Sequence, residues 1–269
     1  MNRAALALAG LSLLTACSTS TKTHAAPTTP AAAPTAVAGS SAPATITATP
    51  TATTGTTATS AAASPGTACT AGGPIPAKAA SKAIPDVDGD AKADTGFMYA
   101  RGNVTPVIGV HTAAGGTFVA DSTSASGAQT RTVTFAKVSS TGPVVAITDD
   151  NRQAQLFVVK GCQLKPAKNP QGQTYKFDLR NFGGTGDGVT CGTVAGGSRT
   201  LVGFHYTRNK AGTKTGGETR TEILLGGLTG TGGVTATNGK SETVSTTTTP
   251  DGISCGVVTE ANSAIALPA

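Results

Sequence analysis

The sequence predicts an all-β domain, propeller-like or sandwich-like, built from about three repeated β-hairpin units and preceded by a disordered linker. Three observations predict it. No window of the 269 residues carries the 3.6-residue apolar periodicity of an amphipathic helix. Short runs rich in β-branched and apolar residues recur instead, separated by clusters of Gly, Asn, Asp and Pro. Finally, three segments share one scheme: a loop, a strand with a small residue set among apolar ones, a turn, and a returning strand.

At the N-terminus, Arg3 precedes an apolar run from Ala4 to Leu14 that is too short to cross a bilayer as a permanent helix. A charged start, an apolar middle and a small-residue end mark residues 1–16 as a secretory signal. Leu14-Thr15-Ala16-Cys17 resembles the lipobox of bacterial lipoproteins. That resemblance implies cleavage before Cys17, acylation of its thiol and residence on the extracytoplasmic face of the bacterial cell membrane. Two or three acyl chains anchor stably, whereas one is marginal.

Residues 17–67 hold the lipidated cysteine and a run of Thr, Ala, Pro, Ser and Gly in which Lys22 is the one formal charge. Such a composition cannot bury enough apolar surface to offset chain entropy and is expected to stay disordered. In a polyproline conformation it would reach about 150 Å as a stalk. Residues 68–260 are long enough for one β domain, and 261–269 form a tail. Removing Arg3 and Lys22 from the 20 basic residues leaves 18 against 14 acidic ones. The bases are scattered and aromatic residues are only 4% of the chain, so nucleic acid is not an expected partner. A cell-wall polymer or an envelope protein, besides the membrane itself, suits the mild positive charge better.

The candidate strands are 95–100, 104–112, 133–138, 144–148, 154–159, 175–179, 201–207, 219–225, 234–237 and 242–246. TDDNRQ (148–153) reads as a hairpin turn, RNKAGTKTGGE (208–218) as a longer hairpin loop, and Asn238-Gly239 as the strongest two-residue hairpin signal in the chain. The repeated segments begin at PDVDGDAKADTGFMY, at TVTFAKVSSTGPVVAITD and at GDGVTCGTVAGGSRTLVGFHY, at a spacing of about 45–60 residues that suits propeller blades.

Asp86, Asp88, Asp90 and Asp94 crowd into DVDGDAKAD (86–94), in a chain with only 13% charged residues. Unneutralised, these carboxylates repel one another. Side-chain oxygens at alternate positions wrap a hard cation, and calcium takes six to eight oxygens. Asp86, Asp88 and Asp90 occupy the first, third and fifth positions, Lys92 offers a backbone carbonyl at the seventh, and Asp94 a carboxylate at the ninth. An EF-hand is excluded, because the twelfth position is Phe97 rather than a bidentate Glu. Ala91 stands at the sixth position, where a left-handed backbone would cost alanine about 1 kcal/mol. PDVDGDAKADTGFMYARG resembles the FG-GAP or VCBS-type repeat of integrin-like propellers. More broadly, Cys17, the stalk, this loop, GTGDGVTC, TRTEILL and the final SCG resemble actinobacterial lipoproteins with such repeats. The resemblance implies a calcium-binding loop entering a strand. GTVAGGSR (192–199) occupies the place of a sister loop but has no carboxylate.

Four cysteines remain once Cys17 is lipidated, an even number that fits two disulfides in an exported domain. Three connectivities are open. The favoured pairing is Cys162–Cys191 as an inter-strand staple and Cys69–Cys255 as a clasp across the ends; no Cys-x-x-Cys or His pair supports a metal site instead.

Catalytic signals are thin. His111 and His205 sit in apolar strand-like runs, and a Ser-His-Asp site from Ser198, His205 and Asp187 lacks a nucleophile motif. Glu218 and Glu222 read as ion-pairing residues on an exposed strand beside Arg208 and Arg220, GGTGDG (183–188) as a turn cluster, and the aromatics Phe97, Tyr99, Tyr175, Phe177, Phe204 and Tyr206 as core. The expectation is a non-catalytic surface or binding domain with a structural calcium loop; the alternatives are a cell-envelope hydrolase or an accessory subunit of an envelope complex.

Overall fold

Each of the three repeated segments folds into its own antiparallel meander. The computed structural model describes residues 68–102, 105–123, 130–245 and 249–268, all within one unit, Thr59–Ala269. The signal, Cys17 and the stalk up to residue 67 lie outside the described residues. The first meander comprises β1 (Ala80–Ile84), β2 (Asp94–Arg101), β3 (Thr105–His111) and β4 (Thr117–Asp121), paired in that order. In the second, β5 (Thr132–Lys137), β6 (Val144–Asp149), β7 (Gln153–Val159) and β8 (Leu164–Pro166) pair in order, and β9 (Lys176–Asp178) also pairs with β7. The third is β10 (Gly188–Gly192), β11 (Thr200–Arg208), β12 (Lys214–Gly226) and β13 (Thr235–Val244).

The C-terminal chain then returns to strands already laid down. β14 (Gly252–Cys255) pairs parallel with β10 and antiparallel with β15 (Val258–Thr259). A single turn, α1 (Glu260–Ser263), is closed at its start by a capping box between Thr259 and Asn262. β16 (Ile265–Ala266) then pairs with the edge of β5. The described residues are therefore all-β, with three sheets and no closed barrel among them, and none of their helices is long and apolar enough to cross a membrane.

Side-chain alternation explains the stacking. On the second meander, Val133, Phe135, Val144, Ala146 and Phe157 pack with Ile84, Met98, Ile108 and Val110 of the first. The alternate residues Ala136, Val145, Ile147, Leu156 and Val158 pack with Val189, Leu201, Ile223 and Ala236 of the third. Successive strand residues point to opposite faces, so the second sheet is covered on both. Its central strands accordingly carry continuous apolar stretches, VVAI in β6 and LFVV in β7, and all six residues of β6 are buried.

Two sequence-based assignments change. Asn238-Gly239 is not a turn: it lies inside β13, where the pairing with β12 slips between Thr221 and Ile223. Ile223 opposes Asn238 while Thr221 opposes Ser241, so β13 carries an extra residue and the two strands expected at 234–237 and 242–246 are one bulged strand. The 208–218 loop is shorter than expected, because β12 already begins at Lys214. The 148–153 hairpin is as expected, with Asn151 in the left-handed region (φ 73°).

The disulfides are Cys69–Cys162 and Cys191–Cys255, not Cys162–Cys191 and Cys69–Cys255. Parallel insertion of β14, with Val189 opposite Ile253, sets Cys255 beside Cys191 at a Cα separation of 4.5 Å. Cys162 sits in the turn between β7 and β8 and meets Cys69 in the segment before β1, at 5.6 Å. Neither the staple nor the clasp across the ends forms, because both bonds follow from segments that join sheets formed elsewhere in the chain.

Phe97 and Gly109 face each other across β2 and β3, and a Cβ on Gly109 would lie 2.1 Å from Cζ of the fully buried Phe97 ring. Gly109→Ala is therefore expected to lower stability by about 1–3 kcal/mol through overpacking, read as a lower denaturant midpoint at unchanged slope in urea unfolding.

Candidate functional site

The acidic loop joins β1 to β2. Asp86, Asp88 and Asp94 each place a carboxylate oxygen within 4.8 Å of the others'. Asp88 and Asp94 are buried, at 7% and 2% exposure, and Asp86 is half-buried. None of the ion pairs among the described residues includes any of the three. Backbone N–H groups hold them instead. Asp86 Oδ1 accepts from Gly89 (2.7 Å) and its Oδ2 from Ala91 (2.9 Å). Asp94 accepts from Val87 (2.7 Å) and Ala113 (2.8 Å), and Asp88 Oδ2 from Cys69 (3.0 Å). Burial pushes the Asp94 carboxyl above its usual range, the Val87 and Ala113 donors oppose this, and the neighbouring Asp88 and Asp86 charges add to the rise.

Two predicted ligands differ from the rest. Asp90 does not join the cluster; its Oδ1 accepts the Lys92 N–H at 2.8 Å, and Lys92 itself is exposed. Three carboxylates of two oxygens each suit calcium, which takes six to eight oxygens in a flexible cage, better than zinc, which favours nitrogen and sulfur. Each carboxylate has about four lone-pair sites, so an oxygen that accepts one N–H retains capacity for a cation.

A second feature was not read from the sequence. A groove of about 790 Å³ is lined by Gln155, Asn169, Gln173, Tyr175 and Asn238, among others. It shares Tyr175, Lys176 and Asn238 with a chamber of about 370 Å³ on the third sheet. It shares Thr123, Gln155 and Thr174 with one of about 310 Å³ beside β4. The three are adjacent chambers with shared lining residues, and together they touch all three meanders. The connection from β8 to β9 forms one wall. Lys168 in it bonds across to β13, donating to Val234 O (2.9 Å) and accepting from Ala236 N (2.8 Å). The β13 bulge presents Asn238 to the groove, and Tyr175 donates its hydroxyl to Asn238 Oδ1 at 2.5 Å. Burial pushes the Tyr175 phenol up to about 12, so it stays a neutral donor. Expected as core, Tyr175 is half-buried and lines the groove.

The catalytic candidates resolve as follows. His111 Nδ1 lies 2.7 Å from Thr117 Oγ1, a satisfied strand histidine. His205 lines the third-sheet chamber, and its Nδ1 is 3.0 Å from Oδ2 of the fully buried Asp187, close in distance but without an aligned hydrogen bond. Asp187 also accepts from Tyr206 N–H at 2.7 Å and from the Arg208 guanidinium. Ser198 is not among the residues lining that chamber. Glu218 does ion-pair with Arg220 at 2.7 Å, but it is fully buried rather than exposed, with Oε2 unpartnered. GGTGDG forms a turn and delivers Asp187, and GTVAGGSR is a turn with Ala195 and Gly196 left-handed (φ 48° and 71°).

Compared with known proteins, the chain matches no protein-family model, no curated protein and no solved structure.

Ala91 adopts φ 66°, a left-handed conformation strained for any residue with a Cβ. Ala91→Gly is expected to raise stability by roughly 0.5–1 kcal/mol, the relief of strain less the added entropy of the unfolded chain, measured as a higher urea midpoint.

Proposed function

We propose that this chain is a lipid-anchored extracytoplasmic binding domain, related to FG-GAP/VCBS-repeat lipoproteins, in which calcium braces the 86–94 loop and the groove receives a partner without chemistry on it. The groove carries this reading. Its central chamber is lined mainly by amide and hydroxyl side chains, its end chambers also by Phe157, Phe177, Phe204 and Ile223, and its two carboxylates, Asp121 and Asp178, stand in opposite end chambers. Both are engaged, Asp121 by Arg101 at 2.8 Å and Asp178 by Gln153 Nε2 at 2.8 Å. A glycosidase needs two carboxyl groups flanking one bond, and this placement does not supply them. Lipidation at Cys17 and the stalk rest on the sequence.

Calcium would be held by Asp86, Asp88 and Asp94, where it would neutralise buried carboxylates that have no cationic side chain. A metal that binds only the folded state stabilises by about 2.7 kcal/mol at a hundredfold excess over Kd. For a domain of this size that is a rise in Tm of about 5–10 °C. Calorimetry with calcium and with a chelator is expected to show the rise, and Asp88→Ala and Asp94→Ala to abolish it; an unchanged Tm at millimolar calcium removes the metal. Mass spectrometry of the mature N-terminus is expected to find an acylated Cys17, and an unmodified chain beginning elsewhere removes the anchor.

One observation favours a second reading. His205 lines the third-sheet chamber with the buried Asp187 carboxylate 3.0 Å behind its Nδ1, the proximity that a general base and an orienting carboxylate would need once aligned. An envelope hydrolase using that pair would lose turnover in His205→Ala while retaining its ligand.

A further inference from the structure

We infer that the groove binds a neutral, hydroxyl-rich chain, a glycan segment, along its three chambers; this deepens the reading of the domain as a binding module and depends on it. The chemistry of the lining selects the ligand. Amides present a donor and an acceptor on one group, which matches sugar hydroxyls that do both. Gln155, only 5% exposed, lines both the central chamber and the one beside β4. Asn238 and Tyr175 line both the central chamber and the one on the third sheet. A ligand crossing either junction meets a polar side chain there, and at the third-sheet junction one held by the Tyr175–Asn238 bond.

Charge excludes the competing classes. Formal charges among the lining residues are Lys168 and Lys176 against Asp121 and Asp178, which cancel. A polyanion such as a phosphate-linked wall polymer would call for a one-signed lining. Extended peptides commonly add to a sheet edge through main-chain bonds; the central chamber is lined mainly by polar side chains, although main chain is also presented at Gly186, Gly188 and Gly203 of the third-sheet chamber, so the decapeptide is the competitor the test must separate. The Tyr175 ring, in an edge-to-face arrangement with Phe177 at 5.2 Å between centroids, adds an aromatic side chain to the lining beside those amides. Side chains already held in place lose little freedom on binding. Tyr175 is fixed by Asn238 and Phe177, and Asn169 by its bonds to the Gln171 and Gln173 backbone N–H groups at 3.0 and 2.9 Å.

Isothermal titration of the residue 68–269 unit within the full chain tests this against a set of soluble neutral hexasaccharides (cello-, malto-, manno- and chito-series). Polygalacturonate serves as the polyanion and a disordered decapeptide as the peptide. The expected result is saturable binding to at least one neutral hexasaccharide, insensitive to salt. Tyr175→Ala and Asn238→Ala should each weaken it about tenfold, the loss of one good contact. The exposed Gln171→Ala variant supplies a substitution that leaves the fold intact and should weaken it as well. Failure of every neutral hexasaccharide to bind, binding confined to polygalacturonate or the peptide, or affinity unaltered in all three variants overturns the inference. Capture of an envelope protein by a domain that binds no hexasaccharide also overturns it, while leaving the binding-module reading in place. Hexasaccharide cleavage that disappears in His205→Ala supports the ligand class and overturns the non-catalytic reading.

Discussion

Burial of the second sheet on both faces is the constraint from which the rest of the structure follows. Its strands carry two cores at once, with Phe135, Ala146 and Phe157 turned toward the first meander and Ala136, Ile147 and Leu156 toward the third. A one-residue slip in any of these strands would exchange the two sets. Both sets are mainly apolar, with Thr134, Thr148 and Gln155 among the buried polar exceptions, so burial alone does little to oppose the slip. What resists it is size: the small Ala136 and Ala154 face the third sheet, whereas Phe135 and Phe157 face the first. Interiors packed at crystal density do not accept that exchange without cavities and clashes.

The peripheral connections secure this stack. Cys69 is tied covalently to the β7–β8 turn by its bond to Cys162. Its backbone N–H is held by Asp88, and its carbonyl accepts from Thr112 Oγ1 at 2.6 Å. The acidic loop is thus linked through Cys69 to the central sheet, so an ion bound there would brace more than its own turn. At the other end of the chain, Arg180 bridges Asp149 (2.9 Å) and Glu260 (2.7 Å), fastening the α1 turn beside the second sheet before β16 reaches β5. Burial and the nearby Asp149 raise the Glu260 carboxyl above its usual range, while Arg180 opposes them. Pairing β14 with β10 and β16 with β5 also covers two strand edges that would otherwise present unpaired backbone groups.

The groove depends on the same arrangement. No meander contains it alone, since its lining comes from β4, from the β8–β9 connection and from the bulged β13. The bulge gives Asn238 its position, and Asn238 in turn holds the Tyr175 hydroxyl. A dipeptide that reads locally as a hairpin turn instead redirects one side chain within a long strand, because β12 continues opposite it and supplies the pairing that a turn would have forgone.

The sequence by itself determined the all-β class, the three repeated meanders, most strand positions and the acidic loop. These depend on neighbours in the chain: period-two patterning, turn residues, and carboxylates at alternate positions. Even the strain at Ala91 was legible, since it arises from a turn only a few residues long. Tertiary structure alone decided which cysteines pair, that Asp90 stands outside the carboxylate cluster, that Glu218 is buried, and that Tyr175 faces a groove rather than the core. Each of those depends on which sheet lies against which and on where the C-terminal strands return. That is set by the fit of two cores to one sheet, and no local pattern encodes it.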